Sequence, residues 1–197
     1  MLSTMMHTPL GAGTLFDFGA RHFASSRVAD YDGESLHWWS YKEVELLAGR
    51  LANGLAALGV GSGDRVGTFL WNGVNHLGVY LAAPGMGAVL HTLNCRLAAD
   101  QIAYIINHAN DRCIFVDDRL EAQLRQVIKN IPGVRHIIVC DPQGGLDDER
   151  IVSLDGLLEH QECHYDWPET PETQAAGICY TSGTTGNPKG VVYSHKT

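Results

Sequence analysis

Apolar positions along the chain follow two patterns, one typical of helices and one typical of short buried strands. The clearest helical pattern repeats every three or four residues, at Tyr41, Val44, Ala48, Leu51, Leu55 and Leu58. Ser40 and Glu43 have the spacing of a capping box, in which the two side chains satisfy free amide donors at a helix start. Gly59 suits the end of this helix, because the position after a helix often needs a positive φ. We therefore predict a helix between Ser40 and Gly59.

Short apolar runs and further stripes alternate along the following residues. Strands are predicted at Val28–Tyr31, Leu36–Trp39, Arg65–Trp71, Ala88–Leu93, Cys113–Val116 and His136–Cys140. Helices are predicted over Val74–Met86, with a bend or end near Pro84, and over Ala98–Ala109, Leu120–Ile131 and Ser153–Glu159. This repeated strand–helix–strand order predicts an α/β fold with a mostly parallel sheet and helices on both faces.

The elements divide the chain into four segments. Residues 1–40 hold the N-terminal strands, and residues 41–140 hold the strand–helix–strand core. Residues 141–173 are rich in turn residues and prolines, so we predict a surface excursion there. Residues 174–197 are predicted to form a hairpin, with strands at Gly177–Thr181 and Val191–Ser194 on either side of a polar loop.

Composition excludes several classes of protein. The chain has 14 Lys and Arg against 22 Asp and Glu, a net charge of −8, so it lacks the basic surface that a nucleic-acid partner requires. The most apolar stretch, Gly78–Leu90, is interrupted by Pro84, Gly85 and Gly87 and is shorter than the roughly 20 residues of a membrane span. The 5 cysteines form no C-x-x-C pair, which favours reduced thiols and a cytoplasmic protein.

The polar loop of the hairpin, residues 180–190, carries the candidate chemistry. It combines four hydroxyl side chains, three glycines and one lysine: Thr181, Ser182, Thr184, Thr185, Gly183, Gly186, Gly190 and Lys189. Glycines let backbone amides approach an anion, and successive amides in a turn form an anion-binding concavity. Hydroxyls donate to phosphate oxygens or bind magnesium, and an ammonium adds a point charge. These residue types together predict a site for a triphosphate.

Two other interpretations of this loop are weaker. A flexible Gly/Thr surface loop would not require the hydroxyl run and the Pro188-Lys189 pair together. A Walker loop needs Gly-Lys five residues after Gly183 and a helix afterwards, whereas this chain has Pro188-Lys189 followed by a predicted strand. A P-loop kinase or GTPase is therefore disfavoured.

The segment from Ile178 to Lys189 resembles, at every position, the AMP-binding signature of the adenylate-forming superfamily, which includes acyl-CoA synthetases, luciferases and peptide-synthetase adenylation domains. The segment 41–66 resembles the N-terminal helix and first core strand of the superfamily. The segments 85–94, 101–108 and 191–195 are similar to its medium- and long-chain fatty acyl-CoA synthetase branch. The resemblance thus covers essentially the whole chain, and it implies the N-terminal part of the large domain of that fold.

The resemblance implies an ATP-dependent acid–thiol ligase whose substrates are a fatty acid, ATP and coenzyme A, with Mg²⁺ as cofactor. The carboxylate attacks the α-phosphate to give an acyl-adenylate, and the thiolate of coenzyme A then displaces AMP. By position in the signature, Thr181, Ser182, Gly183, Thr184, Thr185 and Gly186 line the pyrophosphate, and Lys189 contacts or steers it. No metal-binding side chain is assigned in this chain.

The chain departs from the branch in two ways. Cys95 stands where the branch usually has proline, which is expected to change loop stiffness rather than chemistry. The later family motifs have no counterpart in these 197 residues, so the main catalytic residues are expected downstream of Thr197. We therefore assign no catalytic residue within the chain and expect the chain by itself to be inactive.

Several alternatives remain open at this point. The chain could be an inactive remnant, an ATP- or partner-binding module, or part of an aryl or amino-acid adenylating enzyme. Exposed sheet edges are expected to favour association, but the oligomeric state cannot be read from the sequence.

Other polar and aromatic residues favour structural interpretations. The segment from His160 to His164 is expected to be a solvated surface stretch rather than a metal site. His91 and Asn94 lie at a predicted strand end, where they could border the acyl site, but turn chemistry is the favoured interpretation. We assign His195 no catalytic role. Trp38, Trp39 and Trp71 are expected to be core or interface residues.

Overall fold

A seven-stranded sheet organises the protein. The computed structural model describes residues 4, 8–140, 142, 146–181 and 186–197. The strands of the sheet are β3 (Arg65–Phe69), β4 (Val89–Thr92), β5 (Asp111–Asp117), β6 (His136–Cys140), β7 (Ile151–Ser153), β8 (Ala175–Thr181) and β9 (Lys189–Ser194). Their order across the sheet is β7-β6-β5-β3-β4-β8-β9. Every neighbouring pair is parallel except β8–β9, which is antiparallel, so the predicted mostly parallel sheet is confirmed.

Helices cover both faces of this sheet, as predicted. They are α1 (Ala12–His22), α2 (Tyr41–Ala57), α3 (Val74–Gly85), α4 (Ala99–Ala109), α5 (Glu121–Val127) and α6 (Leu154–Leu158). Side chains of α2, α3 and α6 pack on one face of the sheet in a buried apolar cluster. Side chains of α4 and α5 pack on the other face in a second cluster. The single helix predicted over Leu120–Ile131 is α5 with a 3₁₀ turn at each end, Asp118–Leu120 and Ile128–Asn130.

The start of α2 has the predicted capping box. The Ser40 hydroxyl accepts from the Glu43 amide at 3.2 Å, and the Glu43 carboxylate accepts from the Ser40 amide at 2.7 Å. The preceding strands, β1 (Arg27–Tyr31) and β2 (Leu36–Ser40), form a separate antiparallel hairpin close to its predicted limits. This hairpin leaves Trp38 exposed, and Trp71 is also exposed after β3. A core position for these two tryptophans is therefore wrong, and an interface role stays a prediction.

The structure adds two elements that the sequence pattern did not predict, α1 and β7. In α1, Gly13 and Ala20 are buried, and Leu15 and Phe18 are more than half exposed. The strand β7 is only three residues long and pairs with β6 at one end of the sheet. A small-residue contact face and a very short strand give little periodic signal, which explains why both were missed.

The segment 141–173 contributes to the core as well as to the surface. Its described residues include β7 and α6, and Leu154, Leu157 and Leu158 of α6 are buried. Arg150 donates to the carbonyls of Ile128, Ile131 and Val134 at distances of 2.8 to 3.2 Å. A pure surface excursion is therefore an incomplete description of this segment.

Candidate phosphate-binding site

The predicted phosphate loop joins β8 to β9 at the carboxyl edge of the parallel strands. In the antiparallel register Thr181 pairs with Lys189 and Tyr180 pairs with Gly190, so residues 182–188 close the hairpin. Because β8 runs parallel to β4, Thr181 lies at the same edge of the sheet as the turn that follows Thr92. Ligands of parallel α/β sheets bind at this edge.

The structure describes three of the predicted site residues. Thr181 ends β8 and Lys189 begins β9, and both are exposed. Gly186 has φ +123°, a value that favours glycine, and a Cβ atom there would meet no atom within 4 Å. Ser182, Gly183, Thr184 and Thr185 lie outside the described residues, so their part in phosphate binding stays a prediction.

A cleft of about 500 Å³ opens beside the loop. It is lined by Asn94, Leu97, Gln101, Tyr180, Thr181, Gly186 and Pro188. Among the described residues, no carboxylate forms an ion pair with the Lys189 ammonium. The ammonium of Lys189 at the end of the loop and the hydroxyl of Thr181 in the cleft lining are both suited to an anionic ligand.

Tyr180 connects the loop to helix α4. Its hydroxyl lies 2.6 Å from Nδ1 of His108, and its ring centroid lies 5.0 Å from that of His91. Burial raises the pKa of Tyr180, and the Asp111 carboxylate adds to the effect. The sequence pattern does not indicate this contact, because His108 is 72 residues away from Tyr180 in the chain.

His91 is fully buried inside β4, which corrects the expectation that it acts in a turn. Its Nδ1 donates to both carboxylate oxygens of Asp111, at 2.9 and 2.8 Å. Burial raises the pKa of Asp111, opposed by the hydrogen bond from His91. Asn94, by contrast, performs the predicted turn chemistry, since its Oδ1 accepts from the Arg96 amide at 2.9 Å.

The remaining histidines of interest lie elsewhere. Nδ1 of His195 accepts from the Ala12 amide at 3.1 Å, which ties the end of β9 to the start of α1. His164 is exposed and contacts Asp166 at 3.0 Å. Across the part of the chain that the structure describes, no group of three or more His, Cys, Asp or Glu side chains is arranged to hold a metal ion. No described helix has both the length and the apolar character needed to cross a membrane.

Thr197 follows the turn after β9, and it is exposed. Its hydroxyl oxygen accepts from the Ser194 amide at 2.9 Å, and its own amide donates to the Ser194 carbonyl at 3.4 Å. These contacts give Thr197 a local structural role at the end of the hairpin rather than a place in the cleft beside the loop. The expectation that the main catalytic residues follow Thr197 in the sequence stays a prediction.

Comparison with known proteins identifies the family. A model of the family described as AMP-binding enzyme matches residues 17–197. The chain is 36% identical to a medium-chain-fatty-acid–CoA ligase of Ectopseudomonas oleovorans, covering 100% of this chain and 37% of the relative. It is 42% identical to a long-chain-fatty-acid–CoA ligase of Thermus thermophilus, covering 98% of this chain and 35% of the relative. The chain thus spans little more than a third of the length of these curated relatives.

A solved structure supports the fold independently. The crystal structure of the anthranilate CoA ligase AuaEII in complex with anthranoyl-AMP matches with a TM-score of 0.85 over 100% of this chain and 37% of that chain. At 21% identity this similarity shows a common fold only. With the family match over residues 17–197, the similarity to fatty-acid–CoA ligases and the intact signature, the chain belongs to the AMP-binding enzyme family.

Proposed function

We propose that this chain supplies the pyrophosphate-binding part of an ATP-dependent fatty acyl-CoA synthetase. The observation that carries the proposal is the hairpin itself, in which Thr181 and Lys189 face each other across the two strand ends that hold the signature loop. The similarity to medium- and long-chain-fatty-acid–CoA ligases supports a fatty acid as the acid substrate. The free state of all five cysteines supports a cytoplasmic protein.

The reaction explains why a phosphate site is needed. A carboxylate oxygen attacks the α-phosphorus of ATP, and the bond to the bridging oxygen of pyrophosphate breaks. The thiolate of coenzyme A then attacks the acyl carbonyl carbon, and AMP leaves with the former carboxylate oxygen. In the first step negative charge grows on the departing pyrophosphate, so fixed amides, hydroxyls and an ammonium around it stabilise the transition state.

The described residues fit this role in charge and position. Lys189 is the cross-strand partner of Thr181, which lines the cleft, so we propose that its ammonium binds or steers the β- and γ-phosphates. The Thr181 hydroxyl can donate to a phosphate oxygen or offer a hard oxygen ligand to magnesium. Mg²⁺, when bound with ATP, neutralises part of the phosphate charge. We propose the same pyrophosphate-binding role for Ser182, Gly183, Thr184, Thr185 and Gly186.

Calorimetric titration with inorganic pyrophosphate and with MgATP tests this proposal. Lys189→Ala removes a charged phosphate contact, so we expect binding to weaken about ten- to hundredfold, the value of a hydrogen bond to a charged group. Lys196→Ala is the matched control, because Lys196 is also exposed and lies beyond the end of β9. Equal affinities for the two variants and the unchanged chain would contradict the role of Lys189.

Because the chain spans little more than a third of the length of its curated relatives, thioester formation is measured on the full product of the gene. Medium- and long-chain fatty acids are compared with aryl and amino acids, with AMP and pyrophosphate release as the readout. Turnover with fatty acids supports the proposed substrate class, and turnover confined to aryl or amino acids contradicts it. Pyrophosphate and MgATP binding without any turnover would instead indicate a binding module.

A further inference from the structure

Tyr180 occupies a position from which both ends of the phosphate loop can be held. It immediately precedes Thr181, where the loop leaves β8, and it is the cross-strand partner of Gly190, next to the point where the loop returns. A Cβ atom at position 190 would lie 3.1 Å from Cζ and 3.3 Å from Cε2 of the Tyr180 ring. The ring therefore lies directly over the backbone of β9, and a glycine there allows the close approach.

The hydroxyl of Tyr180 ties this pair of strands to helix α4. It lies 2.6 Å from Nδ1 of His108, to which it donates when the imidazole carries its proton on Nε2. The His108 ring stacks on that of Tyr104 one turn earlier, with centroids 5.4 Å apart. His108 is in the last turn of α4. The hydrogen bond thus joins the hairpin to an element whose own apolar side chains, Ile102, Ile105 and Ile106, are buried.

A buried hydrogen-bonded pair, His91 and Asp111, packs against the ring of Tyr180. The imidazole of His91 and the carboxylate of Asp111 have no exposed surface, and the double hydrogen bond fixes the plane of the imidazole. The Tyr180 ring lies against this imidazole at 5.0 Å between centroids. Contacts with His91 at the ring and with His108 at the hydroxyl therefore both restrict the Tyr180 side chain.

We propose that Tyr180 is a positioning residue for the phosphate loop, held by His108 and by the His91–Asp111 pair. The inference rests on the proposed function, since it needs the loop to bind pyrophosphate. Fixing the two strand ends lowers the conformational entropy that the loop loses when it binds a phosphate group. The network therefore increases affinity by restraining the two strand ends that hold the loop.

The test uses substitutions that leave the core intact. Tyr180→Phe keeps the ring over Gly190 and removes the hydroxyl, and His108→Leu removes the acceptor from an exposed position. Each is expected to weaken binding of inorganic pyrophosphate about two- to tenfold, the range for one neutral hydrogen bond. The double variant is expected to bind no more weakly than either single variant, because both remove the same interaction.

A variant that restores the hydrogen bond, His108→Asn, distinguishes a positioning role of Tyr180 from a general structural role. In His108→Asn the side-chain Oδ1 can take the place of Nδ1 as acceptor, so we expect affinity close to that of the unchanged chain. Tyr193→Phe is the matched control, since it removes a tyrosine hydroxyl from the same hairpin at a residue that is 43% exposed. Thermal unfolding of every variant is measured alongside, and we expect the His108 variants to unfold at nearly the same temperature.

The outcomes separate the two proposals. If the unchanged chain binds neither pyrophosphate nor MgATP, the proposed function fails, and this inference fails with it. If it binds but Tyr180→Phe and His108→Leu bind equally well, the inference alone is overturned. Additive losses in the double variant, or no recovery in His108→Asn, would also overturn it. If Tyr180→Phe does not fold, the comparison of His108→Leu with His108→Asn decides the question.

Discussion

Gly49 shows how packing overrides local preference at a single residue. It lies within α2, where alanine is the better helix former by about 1 kcal/mol. A Cβ atom there would lie 2.0 Å from the carbonyl oxygen of Cys163. Asn53 holds the same segment against α2 by donating to the carbonyls of Glu162 and His164 at 2.9 and 2.8 Å. We therefore expect Gly49→Ala to lower the free energy of unfolding, measured in urea, by at least about 2 kcal/mol.

Gly61→Ala is the control for this prediction. Gly61 follows α2 in the chain, and a Cβ atom there would meet nothing within 4 Å. We expect its effect on the free energy of unfolding to stay within about 0.5 kcal/mol. If Gly49→Ala instead stabilises the protein, the close contact between α2 and residue 163 is incorrect.

The capping box and the histidine pair differ in how far their partners lie along the chain. Ser40 and Glu43 satisfy each other three residues apart, so the sequence alone predicts the contact. His91 and Asp111 meet because β4 and β5 both pair with β3, on opposite sides. That neighbourhood depends on strand order, which the sequence pattern does not specify. The turn role expected for His91 was wrong for this reason.

At the scale of elements, the difference between local and distant partners also explains why α1 was not predicted. Distant residues, rather than a local cap, bind the backbone just before α1 and in its first turn. The Leu10 amide donates to the Glu172 carboxylate at 3.0 Å, and the Ala12 amide donates to Nδ1 of His195 at 3.1 Å. By contrast, α2 and α4 place wide apolar stripes against the sheet, and both were predicted within about two residues.

The contact between His195 and α1 predicts a pH dependence of stability. Burial lowers the pKa of His195 below its ordinary value of 6.5. Between the lowered pKa and 6.5 the unfolded chain binds more protons than the native chain, so the free energy of unfolding falls as the pH falls. The contribution is complete above pH 6.5 and is lost at lower pH. Urea unfolding of the chain from pH 7.5 to pH 5 measures it.

His195→Asn isolates this contribution. The Oδ1 atom of asparagine can accept from the Ala12 amide and does not titrate, so we expect a weaker dependence on pH. Some dependence should remain, because burial also lowers the pKa of His76. His160→Asn, at an exposed position, should behave like the unchanged chain. An unaltered pH profile in His195→Asn would show that the Ala12 contact does not control it.

For the whole molecule, the alternation of strands and helices predicts a parallel sheet whose strands place their carboxyl ends at one edge, where ligands bind. That the loop after β8 lies beside the turn after β4 depends on the strand order, which the pattern does not specify. The pattern could not predict that Tyr180 would meet His108, because that contact requires the strand order β3-β4-β8 and the position of α4 on one face of the sheet. Sequence thus predicts the edge and the loop, and tertiary packing determines the residues that hold the loop.

The strand order also gives the described sheet an apolar edge at β9. Val192 is 60% exposed, and it is flanked by the exposed Val191 and Tyr193. An exposed apolar edge strand presents unpaired backbone groups and side chains to a second molecule. We expect the 197-residue chain to associate with increasing concentration, and Val192→Lys to reduce this association, because a charge on an edge strand opposes pairing. Light scattering over a concentration series measures the effect.

Leu15→Lys distinguishes pairing at the edge from general apolar contact. The Leu15 side chain is 55% exposed, a fraction similar to that of Val192, but it lies on helix α1, where the backbone groups are already hydrogen-bonded within the helix. If the β9 edge drives association, Val192→Lys reduces it strongly and Leu15→Lys much less. The two substitutions add the same charge and remove side chains of similar size. Equal reductions of association by both would therefore show that exposed apolar surface in general, and not the β9 edge, causes it. Association unaffected by Val192→Lys would show that β9 is not the contacting strand.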